Sequence, residues 1–328
     1  MGSSISTLDI VVCAILISCS VIGNPLLIYC TRRCISENSR TSFILIVNLA
    51  LVHLLHNLVV NVFKIAYASG VGLDSDRCKV LVFSSTFTTC LAIWSTLYIV
   101  LFYCFKLCQV VHPPSEAITT ERWKCHLVLV GILWVAGFAV CCPFSFYTGK
   151  AGKVYMGNET YQQPSSFIYD ECKTEYKTYH VEFFYGKLFR VAIDLLPLLI
   201  MLLAGFRITH LLWEYKKATY GGIWIGRDAS ETEVLRACKL VLLLILVITS
   251  LWISNFILIY CLKNFKFNYF VPPVLTVLSS GYSAVSPFLL MLIYYKVIVK
   301  VKCFCYKAER KTGSLSTVSS SVGISPYA

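Results

Sequence analysis

Charge is what this sequence has least of: only 14% of its 328 residues are Asp, Glu, Lys or Arg. A soluble chain carries roughly 25%, so an ordinary globular domain is not expected. A hydrophobic share of 57% argues against a disordered chain, and the length argues against a small disulfide scaffold. Acidic residues are scarcest, 17 against 29 basic, and within the apolar stretches they are almost limited to Asp9 and Asp194. The chain of buried carboxylates that an ion or proton relay needs is therefore missing. Also missing are a Gly-x-Ser-x-Gly elbow, a His-Glu-x-x-His helix and a Gly-rich phosphate loop, so the expectation is a non-enzyme without cofactors. Cysteine is plentiful at 16, but no C-x-x-C pair is followed by a second at zinc-finger spacing, and most of these thiols lie in apolar runs.

Long apolar runs are present instead. A helix needs about 20 mainly apolar residues to cross a hydrocarbon core of roughly 30 Å. Such runs lie at about Asp9–Cys30, Ser42–Ala66, Val80–Phe105, Leu127–Tyr147, Val191–Trp213, Leu240–Leu262 and Phe270–Tyr295. They are continuously apolar, which excludes the period-two alternation of a barrel strand. The predicted fold is an all-α membrane protein, a seven-transmembrane helix bundle over residues 1–302 followed by a cytoplasmic tail, 303–328. The first run is too long for a signal-peptide core and has no basic residue before it, so it is read as a retained span.

Orientation follows from the loops. No Lys or Arg precedes the first span, whereas Arg32, Arg33 and Arg40 follow it, and Lys296, Lys300, Lys302, Lys307, Arg310 and Lys311 follow the seventh. The N-terminus is expected outside and the C-terminus in the cytoplasm. On this reading the net charge of +12 is an orientation signal, and nucleic acid is not an expected partner. The sequon Asn158-Glu159-Thr160 falls in the loop after span 4, on the outer side, and is the candidate glycosylation site.

Cys78 at the start of span 3 and Cys172 in that same outer loop face the oxidising side and are predicted to pair, the alternative being two free thiols. Beyond span 7, Cys303 and Cys305 suit palmitoylation on the inner leaflet or remain plain cytosolic thiols. The Ser/Thr-rich stretch 312–321 is expected to be disordered and is a candidate phosphate acceptor.

Ionisable groups inside spans are costly and mark functional candidates. His53 and His56 stand three residues apart on one face of span 2, with Asn57 and Asn61 near the same stripe. They read as hydrogen-bonded bundle histidines ahead of metal ligands, since no third ligand is evident. In span 5, Arg190 and Asp194 are spaced to pair across one turn, either neutralising each other or meeting a ligand, and Pro197 is expected to bend the helix.

Seven spans with the N-terminus outside, a pairing of span 3 with an outer loop and a basic inner surface, together with Gly23-Asn24 in span 1, Asn48 to His53 in span 2 and Ser286 to Met291 in span 7, resemble the G-protein-coupled receptor superfamily. Gly23-Asn24 in span 1 is similar to its Gly-Asn pair. Asn48-Leu49-Ala50-Leu51-Val52-His53 is similar to its Asn-Leu-Ala-x-x-Asp with His53 in the acidic position, and Ser286-Pro287-Phe288-Leu289-Leu290-Met291 stands where Asn-Pro-x-x-Tyr would be. Asp-Arg-Tyr is absent; Phe102-Tyr103-Cys104-Phe105-Lys106 occupies the end of span 3. Neither the sodium site nor the ionic lock of that superfamily carries over. Together with Cys78-Lys79, Thr88-Thr89-Cys90-Leu91, the entry Glu231-x-Glu233-x-x-Arg236-Ala237-x-Lys239 to span 6 and the sequon, the pattern resembles type 1 vomeronasal receptors, and more closely the fish olfactory receptors related to class A. The second resemblance is to type 2 bitter taste receptors, through Phe102-Tyr103-x-x-Lys106-Leu107, although Val285-Ser286-Pro287 replaces that family's His-Ser pair.

The resemblance implies a plasma-membrane chemosensory receptor for a small odorant or pheromone-like ligand that activates a heterotrimeric G protein, with arrestin as a further partner through the tail. A small-solute transporter is the alternative from another class. The ligand layer is expected in the outer half of the bundle, from His56, Asn57, Asn61, Lys64, Phe87, Thr88, Arg190, Asp194, Trp252, Asn255, Phe256 and Tyr282. Lys64 and Arg190, with only Asp194 to balance them, favour an anionic or polar ligand. Lys106, Lys216, Lys217 and Arg236 are expected to meet the G protein and the anionic lipid of the inner leaflet, or only to set orientation.

Overall fold

Each apolar run folds as a helix because hydrocarbon offers no partner to a backbone N–H or C=O, so every one must bond within its own segment. The computed structural model describes residues 2–34, 40–71, 74–113, 123–150, 172–174, 179–181, 183–184, 189, 191–220, 229–262, 274 and 276–292. Four long helices come first: α1 (Gly2–Cys34), α2 (Arg40–Ala68), α3 (Ser75–Val111) and α4 (Trp123–Tyr147). The one-turn α5 (Tyr179–Val181), α6 (Leu196–Tyr220) and α7 (Ala229–Leu262) follow, then α8 (Thr276–Leu292). Six of these, α1 to α4, α6 and α7, are long and apolar enough to cross a membrane, and α8 is a shorter apolar helix. The chain is built as a multi-pass membrane protein.

Helix ends depart from the apolar runs where polar residues supply caps. The Asp74 carboxylate accepts from the Arg77 backbone N–H at 2.9 Å, which starts α3 five residues before the run at Val80. At the other end the His112 N–H closes α3 on the Cys108 carbonyl at 2.8 Å. The bend expected at Pro197 takes another form. A π-helical turn, Val191–Leu195, precedes α6, so Pro197 falls in the first turn of that helix, where its missing N–H costs little. Pro25 and Pro143 lie inside α1 and α4. The expected seventh run, Phe270–Tyr295, is described as helix over Thr276–Leu292.

α3 is the central post. Over its most apolar window 67% of residues are buried, against 22% for α4, which is therefore peripheral. α3 packs on α2, α4, α6 and α7, and α1 packs on α2. Small residues permit the close approaches. A Cβ on Gly137 of α4 would lie 3.2 Å from Leu91, and one on Gly23 of α1 would lie 3.0 Å from Phe288 and Pro287 of α8. Large apolar side chains such as Val135, Phe146 and Phe206 point outward, as expected of surfaces that meet hydrocarbon.

The predicted disulfide is formed. Strand β1 (Thr148–Lys150) continues directly from α4 and pairs antiparallel with β2 (Cys172–Thr174), setting Lys150 opposite Cys172. This hairpin delivers Cys172 to Cys78 in the first turn of α3, with 5.4 Å between their Cα atoms. Phe63 and Tyr67 near the end of α2 pack against the joined cysteines.

Candidate functional site

α2 carries a polar stripe at helical spacing, His53, His56, Asn57, Asn61 and Lys64, and none of these is more than 7% exposed. Opposite it, α8 presents Thr276, Ser280, Ser283 and Ser286, all buried, with Ser279 at the exposed edge. Together they form one hydrogen-bonded seam. Buried polar groups in an apolar medium are costly unless paired, so the pairing itself locks the register of the two helices.

Proton accounting fixes most donors. Ser283 donates to the Ser280 carbonyl at 2.8 Å, leaving its oxygen to accept from Asn57 Nδ2 at 2.8 Å. Asn57 also donates to the His53 carbonyl at 3.1 Å and accepts from Asn61 Nδ2 at 2.9 Å. Thr88 of α3 spends its proton on the Ser84 carbonyl at 2.6 Å, so His56 Nδ1, 2.8 Å from Thr88 Oγ1, is the donor there. His56 Nε2 is then an acceptor, 3.4 Å from Ser280 Oγ. The single Ser280 proton has a second acceptor in Asn61 Oδ1 at 3.2 Å.

Deeper in the bundle, His53 Nδ1 meets Ser286 Oγ at 2.7 Å, and its ring stands edge-on to Tyr282 with centroids 5.1 Å apart. Tyr282 donates to Thr96 of α3 at 2.7 Å, because the Thr96 proton goes to the Ala92 carbonyl. His53 Nε2 is buried without a hydrogen-bond partner, as is Asn24 Oδ1 on α1. At the other end, the Lys64 ammonium has the Thr276 hydroxyl at 3.3 Å and that of Ser279 at 3.5 Å. Among the described residues no carboxylate lies within ion-pair distance of it.

The seam thus gathers His56, Asn57, Asn61, Lys64, Thr88 and Tyr282 from the expected ligand layer. Phe87 goes elsewhere. Its ring packs with Phe83, Trp134 and Phe138 between α3 and α4, one helical step of about 100° from Thr88. Trp252 packs, partly buried, against the main apolar core. Asp194 lies in the π-helical turn and Asn255 and Phe256 on α7, with side chains outside the described residues. Arg190, Asn158, Cys303 and Cys305 also lie outside the described residues. Toward the opposite end, Lys106 covers the Phe102 ring at 4.8 Å and Lys217 the Trp213 ring at 5.6 Å, while Lys216 is exposed and Arg236 half-buried. There Glu214 of α6 sits between His112 of α3 at 3.6 Å and His210 at 3.5 Å.

Sequence reasoning missed the α8 half of the seam, Thr276, Ser279, Ser280, Ser283 and Ser286 as a set. Their spacing of three and four residues was the available signal. It also missed Ser20 of α1, whose hydroxyl donates to the His53 carbonyl at 3.4 Å. No group of three His, Cys, Asp or Glu side chains suited to a metal occurs among the described residues. The chain matches no family model and no curated protein sequence.

Proposed function

We propose that this chain is a chemosensory receptor of the G-protein-coupled kind: a seven-helix bundle of the plasma membrane, N-terminus outside, that binds a small polar or anionic ligand and activates a heterotrimeric G protein. The observation that carries this reading is the buried polar seam between α2 and α8, which ends at the Lys64 ammonium near the Cys78–Cys172 hairpin. An ammonium sunk among helices and hydrogen-bonded, among the described residues, to neutral hydroxyls is an expensive arrangement, and a ligand group that completes it makes the cost useful. The sequence motifs shared with chemosensory receptors, and the basic residues Lys106, Lys216, Lys217 and Arg236 on the side where a G protein docks, support the same reading.

The test is a screen of organic acids, amines and steroids for stimulated nucleotide exchange in membranes from cells expressing the chain. The expected result is a saturable response that Lys64→Gln shifts by about tenfold or more, the equivalent of ~1.4 kcal/mol of binding. Accumulation of a labelled solute without exchange would refute the receptor reading in favour of transport.

A further inference from the structure

α1 carries a charge level with Lys64. Ser20 Oγ of α1 meets the His53 carbonyl of α2 at 3.4 Å, and this contact sets the register of two antiparallel helices. Asp9 lies eleven residues before Ser20, and Lys64 lies eleven residues after His53. Eleven residues make three turns to within roughly 20° and rise about 16.5 Å. From one shared contact, both side chains therefore climb the facing surfaces by equal steps to the same end of the bundle. Asp9 is the carboxylate that acts on Lys64 electrostatically, beside the Cys13 thiol one turn further along α1. Yet Asp9 and Lys64 do not close into an ion pair, and Asp9 Oδ1 is buried without a hydrogen-bond partner.

We propose that Asp9 and Lys64, with the hydroxyls of Thr276 and Ser279, form a recognition site for a zwitterionic head group, an ammonium beside a carboxylate as in an α-amino acid. This rests on the receptor reading only in taking the seam as a ligand site. Two opposite charges held apart at one height match a ligand whose carboxylate meets Lys64 and whose ammonium meets Asp9. The pair has no net charge and neither does the ligand, so binding brings no uncompensated charge into the low-dielectric interior. A simple anion satisfies Lys64 and is repelled by Asp9; a simple amine meets the reverse. Thr276 and Ser279 supply the neutral hydrogen bonds that fix the carboxylate against Lys64, and Asn61, one turn deeper and already paired to Asn57, sets the floor.

The experiment uses the full chain, purified into nanodiscs, and two matched probe sets measured by calorimetry. One is phenylalanine, hydrocinnamate and phenethylamine; the other is leucine, isocaproate and isoamylamine. The expected result is saturable binding of a zwitterion, at least about tenfold tighter than its anion and amine, each of which leaves one site charge unpaired. Asp9→Asn should weaken the zwitterion and move preference toward the anion, and Lys64→Gln should move it toward the amine. These opposite shifts are readable as ratios even where a variant is less stable. Preference for the anion or the amine in the unaltered chain, no binding of either zwitterion, or loss of binding without the opposite shifts would each overturn the proposal. Nucleotide exchange is scored separately. Zwitterion binding without exchange keeps this site and removes the receptor reading; exchange driven by anions alone keeps the receptor and removes this site.

Discussion

Asn57 is the hub of the seam, and replacing it by Leu, similar in volume and unable to hydrogen-bond, tests whether the seam holds α8 in place. The side chain donates to Ser283 and to the His53 carbonyl and accepts from Asn61. Side-chain hydrogen bonds between membrane helices average about 0.6 kcal/mol, with a maximum near 1.7. Three of them give about 2 kcal/mol, and the Asn61 amide left without an acceptor adds to the loss. The informative measurement is a double-mutant cycle, since Asn57→Leu alone also changes packing. Asn57→Leu, Ser283→Ala and the double variant would be unfolded in mixed micelles, with helicity followed against denaturant. The expected coupling between the two positions is about 0.6 to 1.7 kcal/mol. Ser283→Ala and Asn57→Leu adding independently would mean that the 2.8 Å contact carries no energy and that α8 is held by apolar packing at Gly23, Pro287 and Phe288.

Three further outcomes follow. Reducing the Cys78–Cys172 bridge, which closes a loop of 94 residues, should lower stability by about 2–4 kcal/mol; a double Cys→Ser variant should show the same loss and no longer respond to reductant, and an unresponsive parent chain would contradict the pairing. Phe87→Ala should cost about 3 kcal/mol by opening the aromatic cluster between α3 and α4 and, on the receptor reading, leave the dose response in place; a selectively shifted response at full stability would return Phe87 to the ligand layer. On the receptor reading, Glu214→Gln should raise basal nucleotide exchange by about fivefold, the equivalent of ~1 kcal/mol, by weakening the 3.6 Å approach of Glu214 on α6 to His112 at the end of α3; unchanged basal exchange would show that this contact does not restrain the bundle.

Which segments are helices was legible because hydrocarbon imposes one rule on every span, and continuous apolar runs announce it. Helix ends were less legible, since Asp74 starts α3 by a capping bond that hydropathy does not register. Rotation was legible only where a polar group made it so. His53 and His56 had to face the interior, whereas Phe87 is equally comfortable against α4 or a ligand, and nothing in its chemistry chose between them. The α8 serines were illegible for a different reason. On α7, Thr249 and Ser250 satisfy themselves on the carbonyls of Ile245 and Leu246 in their own helix. Ser283 likewise donates to the Ser280 carbonyl of its own helix, and it is the facing Asn57, Asn61 and His56 that give Ser283 and Ser280 additional partners on α2.

That contrast bears on how such a bundle responds to a ligand. Around α3, α4, α6 and α7 the core is mainly apolar and closely packed, with polar contacts such as Tyr98–His126 and His112–Glu214 toward its edge, and close packing resists small continuous adjustment. The α2–α8 seam is different, because its hydrogen bonds have alternatives of nearly equal length. The Ser280 proton can serve Asn61 at 3.2 Å or His56 at 3.4 Å, and His53 Nε2 and, on α1, Asn24 Oδ1 hold unused capacity about one to two turns deeper than His56. A ligand moves an equilibrium only by its difference in affinity between two states. At this seam the states need differ only in which acceptor a hydroxyl serves and where α8 sits against α2. On the receptor reading, a group that engages Lys64 and draws on Thr276 biases α8 at its outer end. The bonds of Asn61 to Asn57 and to Ser280, continued from Asn57 to Ser283 and from Ser280 to His56, then carry that bias inward through discrete changes of partner, each of the size of a single hydrogen bond.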